Sequence, residues 1–291
     1  MIVITTPTGT IGRQVLQTLL AGGQTVRVIA REPSRLGELQ DRVEVVLGSH
    51  NDPAVLDKAL DGAESLFWLV PADRKAPSVH AAYVDFARPA CEVFQRHGIR
   101  HVVGISALGR GFPEDAGHVT ATLAMDDLIA ASGVAYRAVT CPSFMDNTLR
   151  QIASIQTQGL LTSPTPATLK APTCATRDIA AVASRLLVDA SWTGYGSVSV
   201  LGPEDLSFLE MAEILSDVLG RPVRYQQTLE DEFRANLVRY GYSEAMAQAM
   251  VAMMRAKNEG LDHLEVRTAE NTSPTTFRQW CQEVLVPALG Q

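Results

Sequence analysis

The sequence predicts an α/β fold: a doubly wound parallel sheet with a smaller, mostly helical C-terminal lobe. Three observations carry that prediction. Short apolar runs alternate with amphipathic stretches through residues 1–139, the pattern of strands buried on both faces and joined by crossover helices. Right-handed crossovers make a doubly wound sheet the economical topology. After Val139 the texture changes to Thr-, Pro- and Gly-rich sequence, followed by long helical stretches.

Taken in order, MIVIT is the first strand, and GRQVLQTLLAGG is a helix closed by glycine. TVRVIAR and VEVVLG follow as strands. The next helix, DPAVLDKALDG, has Asp52 as its cap and Pro53 at its first position. SLFWLVPA is the fourth strand, a long helix spans 78–97, and HVVGIS is the fifth strand. A helix over 119–133 stops at Gly133, and VAYRAV (134–139) is the sixth strand. Residues 156–176 read as loops, 176–190 as helix, and GSVSVLG as strand. DLSFLEMAEILSDVLG, the strand PVRYQQT, a largely helical 229–259 and TTFRQWCQEVL complete the chain. This assigns a nucleotide-binding domain to residues 1–142, completed by 173–202. The smaller lobe takes 143–172 and 203–291, over the carboxyl ends of the strands.

Composition narrows the function. With 46% hydrophobic and 20% charged residues among 291, the chain has the profile of a globular protein. Its net charge of -7 favours neither nucleic acid nor an anionic membrane as partner. The four cysteines have no metal-ligand or C-x-x-C spacing, and no H-E-x-x-H is present, so no metal site is expected. The N-terminal residues lack a signal-peptide pattern and no apolar run reaches membrane-spanning length, so a cytoplasmic location is expected.

The chemistry concentrates at the first turn. A strand, then T-P-T-G-T-I-G, then a helix places free backbone N–H groups where a phosphate can approach. Gly9 allows close approach to a pyrophosphate, Gly12 packs helix on strand, and Thr8 and Thr10 add hydroxyls. Thr6 stands where a first glycine would ease the turn, and Ile11 completes the loop. The same residues also read as a plain turn. The second strand exits into R-E-P-S-R without a carboxylate at position 31. Arg31, Ser34 and Arg35 suit the 2′-phosphate of NADP, or form a solvated helix start.

The stretches TPTGTIGRQVLQTLLAGGQTVRVIAREPSRL, LFWLVPA, HVVGISALG, LIAASGVAYRAVTCPSFMDN, TRDIAAVA, EMAEILSDVLGRPV and SPTTFRQW resemble the NmrA-like family across nearly the whole chain. That family is an atypical branch of the short-chain dehydrogenase/reductases. The resemblance implies a Rossmann domain, a smaller C-terminal lobe and NADP(H) as cofactor. It places Thr6, Gly9 and Gly12 on the family's G-x-x-G-x-x-G, and Arg31 on its basic residue after the second strand. Leu69, Val70 and Pro71 fall on a loop beside the dinucleotide, and Ser106 and Ala107 near the nicotinamide ribose. Cys141 and Asp126 stand where arginine and glutamate are common. The family mixes enzymes with regulators that bind the cofactor without turning it over.

Ordinary short-chain dehydrogenases pair a tyrosine with a lysine four residues later. None of the six tyrosines here has that lysine. His118, before the fourth helix, is the candidate proton donor, or else a capping or surface histidine. Ser106 could orient a carbonyl or touch the cofactor. Phe144 could cover the nicotinamide or pack internally. A methionine and aromatic stripe (Phe233, Tyr240, Tyr242, Met246, Met250, Met253, Met254) reads as core or as the wall of an apolar pocket.

The expected activity is NADPH-dependent hydride transfer to a carbonyl, quinone-like or conjugated acceptor, with a small apolar or aromatic substrate. A non-catalytic NADP(H)-binding redox sensor controlling a protein partner is the alternative, and an isomerase or cyclase on the same scaffold a further one. A homodimer or a regulatory partner is left open.

Overall fold

The computed structural model describes residues 1–189 and 191–290. They form two compact units. The first comprises Met1–Ala107, Ala121–Thr140 and Ile179–Val198; the second Leu108–Thr120, Cys141–Asp178 and the chain from Ser199 onward.

The first unit is built on β1 (Ile2–Ile4), β2 (Val26–Ala30), β3 (Glu44–Leu47), β4 (Ser65–Trp68), β5 (His101–Ala107), β6 (Ala135–Cys141) and a last strand, Tyr195–Ser199. Numbered along the chain, the spatial order is last–6–5–4–1–2–3. β1 runs parallel to β2 and β4, β2 to β3, and β4 to β5. The order reverses beside β1, where the connections turn to opposite faces. A crevice opens at the carboxyl ends of the strands at such a switch point. Helices α1 (Thr10–Ala21), α2 (Pro53–Leu60), α3 (Phe86–Phe94) and α4 (His118–Ala131) are the crossovers. The doubly wound reading of the sequence holds.

One face of this sheet buries Val3, Ile29, Leu66 and Trp68 with Leu56 and Leu60 of α2, Val93 and Phe94 of α3, and Met125 and Ile129 of α4. On α1, Val15, Leu16 and Leu19 are buried at helical spacing. Asp52 caps α2 through the Ala54 N–H at 2.9 Å, with Pro53 at its first position, as the sequence indicated. The helix expected over 78–97 is observed as one continuous helical run over 79–94 that contains a π turn. Ala81–Asp85 forms that turn, α3 ends at Phe94, and Pro89 lies inside it. Proline removes a donor to the preceding turn and crowds the carbonyl four residues back, which a widened turn accommodates.

The second unit is helical around two small sheets. Its helices include Ile152–Gln158, Phe208–Leu219, Glu230–Arg239 and Glu244–Asn258. Its core gathers Met145, Ile155, Leu161, Met211, Leu215, Val223, Phe277, Trp280 and Leu285. Ser207 and Glu210 form a reciprocal capping box on the Phe208–Leu219 helix.

The 156–176 stretch is not all loop. Leu160–Ser163 pairs in parallel with Arg224–Gln227, and Ala171–Cys174 pairs with both Asp205–Leu206 and Ser143–Phe144. These strands take their partners from distant sequence, which local composition does not reveal. The 176–190 helix is observed over Thr176–Val188, and residue 190 lies outside the described residues.

The 108–120 segment belongs to the second unit, not to the first as the sequence assigned it. A Cβ on Gly117 would meet the Ala249 carbonyl oxygen at 2.1 Å, and one on Gly109 would meet Leu261 at 2.6 Å. Two glycines thus seat this loop on the second unit. Among the described residues no helix is long and apolar enough to cross a membrane. No group of three or more His, Cys, Asp or Glu among them could hold a metal ion.

Candidate functional site

The first-unit candidates converge on the carboxyl ends of neighbouring strands. Thr6–Gly12 follow β1, Arg31, Ser34 and Arg35 follow β2, Val70 and Pro71 follow β4, and Ser106 is next to last in β5. His118 and Phe144 belong to the second unit.

The loop after β1 explains why a glycine would be expected at position 6. Thr6 has φ +49°, a left-handed conformation that costs a residue with a Cβ roughly 1–2 kcal/mol. The next two glycines have distinct reasons. A Cβ on Gly12 would lie 2.2 Å from the Thr6 carbonyl oxygen, so only glycine lets α1 approach the turn this closely. A Cβ on Gly9 would make only an ordinary 3.5 Å contact, and Gly9 has φ −81°. Within the chain, Gly9 is therefore not required sterically. Exposed Gly9 is the N-cap of α1, supplies no side-chain cap, and is followed by no acidic residue in the first turn. A helix start of this kind leaves N–H groups and a positive dipole end for an anion. Thr6 Oγ1 is buried without a hydrogen-bond partner. These features fit a dinucleotide pyrophosphate.

Thr5 links this loop to the next. Its hydroxyl donates to the Phe67 carbonyl at 3.0 Å and accepts from the Leu69 N–H at 3.0 Å, joining the ends of β1 and β4. His50 braces the same exit. It is buried, its Nε2 lies 3.0 Å from the Leu69 carbonyl oxygen, and its ring meets Trp68 and Phe86 edge-on at 5.0 and 4.8 Å. Burial lowers its pKa to about 4, and the nearby charge of Arg31 pushes the same way. Arg31, Ser34 and Arg35 are exposed, with their side chains open to a ligand.

Sequence reasoning passed over Arg13. Its guanidinium donates to the carbonyls of Arg35 (3.2 Å) and Leu36 (3.4 Å), fastening the basic turn to α1. The signal was available: a cation at the positive end of a helix runs against the dipole and calls for a partner.

Ser106 is buried, and its hydroxyl donates to Asp126 Oδ2. Tyr136 donates to the other oxygen, Oδ1, at 2.6 Å. Asp126 and Tyr136 are both fully buried. The resemblance had flagged Asp126 only as a departure, and Tyr136 had been set aside for want of a lysine. Their connection with Ser106 joins β5, α4 and β6, which no local motif displays.

In the second unit, His118 is 7% exposed, and its Nε2 lies 3.2 Å from the Met246 carbonyl oxygen. Burial lowers its pKa, so it is neutral near pH 7. Phe144 is half-buried in the strand paired with Ala171–Cys174. In the methionine stripe, Met246 is buried, Met250, Met253, Met254 and Phe233 are half-buried, and Tyr240 is exposed. The Glu230–Arg239 helix buries no residue, so the stripe is partly surface rather than all core.

Residues 7–190 match the NAD(P)H-binding family model, and residues 119–280 match that of the NmrA-like family. The chain belongs to the NmrA-like family of NAD(P)H-binding proteins. This NmrA-like chain is 32% identical over 290 residues to the (4-alkanoyl-5-oxo-2,5-dihydrofuran-3-yl)methyl phosphate reductase of Streptomyces griseus subsp. griseus, covering 97% of each. It is 29% identical over 252 residues to the NAD(P)H azoreductase of Xenophilus azovorans, covering 86% of this chain and 85% of the other. Its fold matches the crystal structure of an NADPH-dependent quinone oxidoreductase from Escherichia coli complexed with NADPH. The TM-score is 0.81 at 21% identity, over 98% of this chain and 100% of that one.

Proposed function

We propose that this chain is an NADPH-dependent reductase of electron-poor, conjugated acceptors of apolar character. The observation that carries the proposal is the open Gly9 approach at the uncapped start of α1, beside an exposed, arginine-bearing strand exit. Gly9, Gly12 and the Thr6–Thr10 backbone would hold the pyrophosphate. Arg31 and Arg35, on the turn fastened by Arg13, would take the 2′-phosphate, favouring NADPH over NADH. Val70, Pro71 and Ser106 would complete the cofactor side.

NADPH, when bound, supplies the hydride. Among the described candidate residues none stands out as a proton donor. The tyrosine–lysine pair is missing from the sequence, and His118 is neutral, buried and directed at a backbone carbonyl, which supports an anchoring role for it. A conjugated acceptor suits such a protein, because its own oxygen or nitrogen atoms take up the added charge and water can protonate them. The relatives' names point the same way: a dihydrofuranone phosphate, an azo compound and a quinone.

A panel containing a quinone, an azo dye, an unsaturated lactone and a simple ketone tests the reading. The conjugated acceptors are expected to drive NADPH oxidation, with the ketone slowest. The missing tyrosine–lysine pair also favours the redox-sensor reading. That reading predicts no acceptor-dependent oxidation and a clear preference between NADPH and NADP⁺ in direct binding.

A further inference from the structure

The buried Ser106–Asp126–Tyr136 chain fixes the direction of a hydrogen bond at the cofactor site. Ser106 has one hydroxyl proton, and the structure commits it to Asp126 Oδ2. Asp126 accepts on both of its oxygens in the structure and so returns no donor to Ser106. Its second oxygen is held by the Tyr136 hydroxyl at 2.6 Å. Burial, and then the Asp126 charge, keep the Tyr136 phenol protonated far above its usual range. Tyr136 therefore stays a donor throughout. The chain reads Tyr136 to Asp126 and Ser106 to Asp126, with both protons pointing at the carboxylate.

The backbone is shaped for this arrangement. Gly104 and Ser106 lie on the same face of β5, two residues apart. A Cβ on Gly104 would come within 2.2 Å of the Tyr136 hydroxyl oxygen. Glycine at 104 thus makes the slot through which Tyr136 reaches Asp126.

With its proton held, Ser106 Oγ has only lone pairs to offer a ligand. We infer that Asp126 is a positioning residue that sets Ser106 as a hydrogen-bond acceptor for an N–H or O–H of the bound dinucleotide. The serine then orients the cofactor and does not polarise the oxygen of the acceptor. The inference rests on the reading that Ser106 meets the cofactor, and its test separates the two.

The test compares the NADPH dissociation constants and melting temperatures of Ser106→Ala, Asp126→Asn, Asp126→Glu, Tyr136→Phe and the Ser106→Ala/Asp126→Asn double variant. Ser106→Ala is expected to weaken NADPH by roughly tenfold, the equivalent of one hydrogen bond. Asp126→Asn can donate toward Ser106 and is expected to weaken it by a similar factor. The double variant should bind no more weakly than Ser106→Ala alone, because both changes remove one interaction. Asp126→Glu keeps the acceptor-only carboxylate and should restore affinity to within about threefold. Tyr136→Phe should lower the melting temperature.

Unchanged NADPH binding in Ser106→Ala would overturn the cofactor contact and the inference with it. A weakened Ser106→Ala beside an unaffected Asp126→Asn, or additive losses in the double variant, would overturn the inference alone. A crystal structure of the wild-type NADPH complex decides the matter even if the Asp126 variants do not fold. Ser106 Oγ against the carboxamide nitrogen or a ribose hydroxyl supports the inference and says which donor is used. Oγ against a substrate carbonyl or a phosphate oxygen would overturn it.

Discussion

Gly9 and Gly12 sit three residues apart in one loop, yet replacing each with alanine should have different consequences. A Cβ at residue 12 would lie 2.2 Å from the Thr6 carbonyl oxygen and 2.9 Å from its carbon, both backbone atoms with little freedom to move. Overpacking of this kind costs about 1–3 kcal/mol. Alanine's helix preference over glycine offsets about 1 kcal/mol at a position inside α1. A backbone contact this short belongs at the upper end of that range, so the net loss for Gly12→Ala is about 2 kcal/mol, or a melting temperature lower by about 4–8 °C. Gly9→Ala meets nothing closer than 3.5 Å and needs no unusual backbone angle, so the free protein should melt within about 1 °C of wild type. Its methyl group would fill the space a pyrophosphate needs. Losing one charge-assisted hydrogen bond, about 1.5–3 kcal/mol, weakens NADPH by roughly 10–100-fold. Thermal denaturation with and without NADPH, together with calorimetric titration, reads both quantities. Wild-type NADPH affinity in Gly9→Ala would refute the phosphate-loop reasoning. Undiminished stability in Gly12→Ala would refute the packing argument.

Three further outcomes are expected. Arg31→Ala should weaken NADPH by roughly 10–100-fold and NADH by less than about threefold, in parallel titrations; equal losses would remove Arg31 from the 2′-phosphate. His50 has its pKa lowered from 6.5 to about 4, so the native state prefers it neutral. Its contribution is whole above pH 6.5 and is lost as pH falls toward 4, by about 3 kcal/mol, which denaturant titrations of wild type and His50→Gln at several pH values would reveal as a shallower dependence in the variant. His118→Ala should lose about 1 kcal/mol of stability with the Met246 carbonyl bond and leave kcat with a quinone within about twofold. A tenfold fall in kcat at unchanged stability would restore His118 as a proton donor.

The sequence was most legible where structure follows from neighbours along the chain. The β1 and α1 runs, Asp52 with Pro53, and the alternation through β6 all carry local periodic or capping signals, and the structure contains them. Position 6 was legible in a subtler way. A glycine was expected there on pattern, and the observed φ of +49° at Thr6 supplies the reason. Features made by distant pairing were hidden. Leu160–Ser163 becomes a strand because Arg224–Gln227 lies beside it, and the 108–120 loop takes its place from Ala249 and Leu261. In the candidate site, the Gly and Arg positions could be read from motif spacing. The Ser106–Asp126–Tyr136 chain could not, because its members lie 20 and 10 residues apart on separate elements.

Single-turnover mixing tests the central claim most directly. Protein saturated with NADPH is mixed with a quinone, and loss of the reduced nicotinamide absorbance is followed against protein-free NADPH. The account predicts rapid, quinone-dependent oxidation that becomes much slower when NADH replaces NADPH at the same concentration. Tight NADPH binding with oxidation no faster than in free solution would contradict it and leave a protein that reads the cofactor without using it.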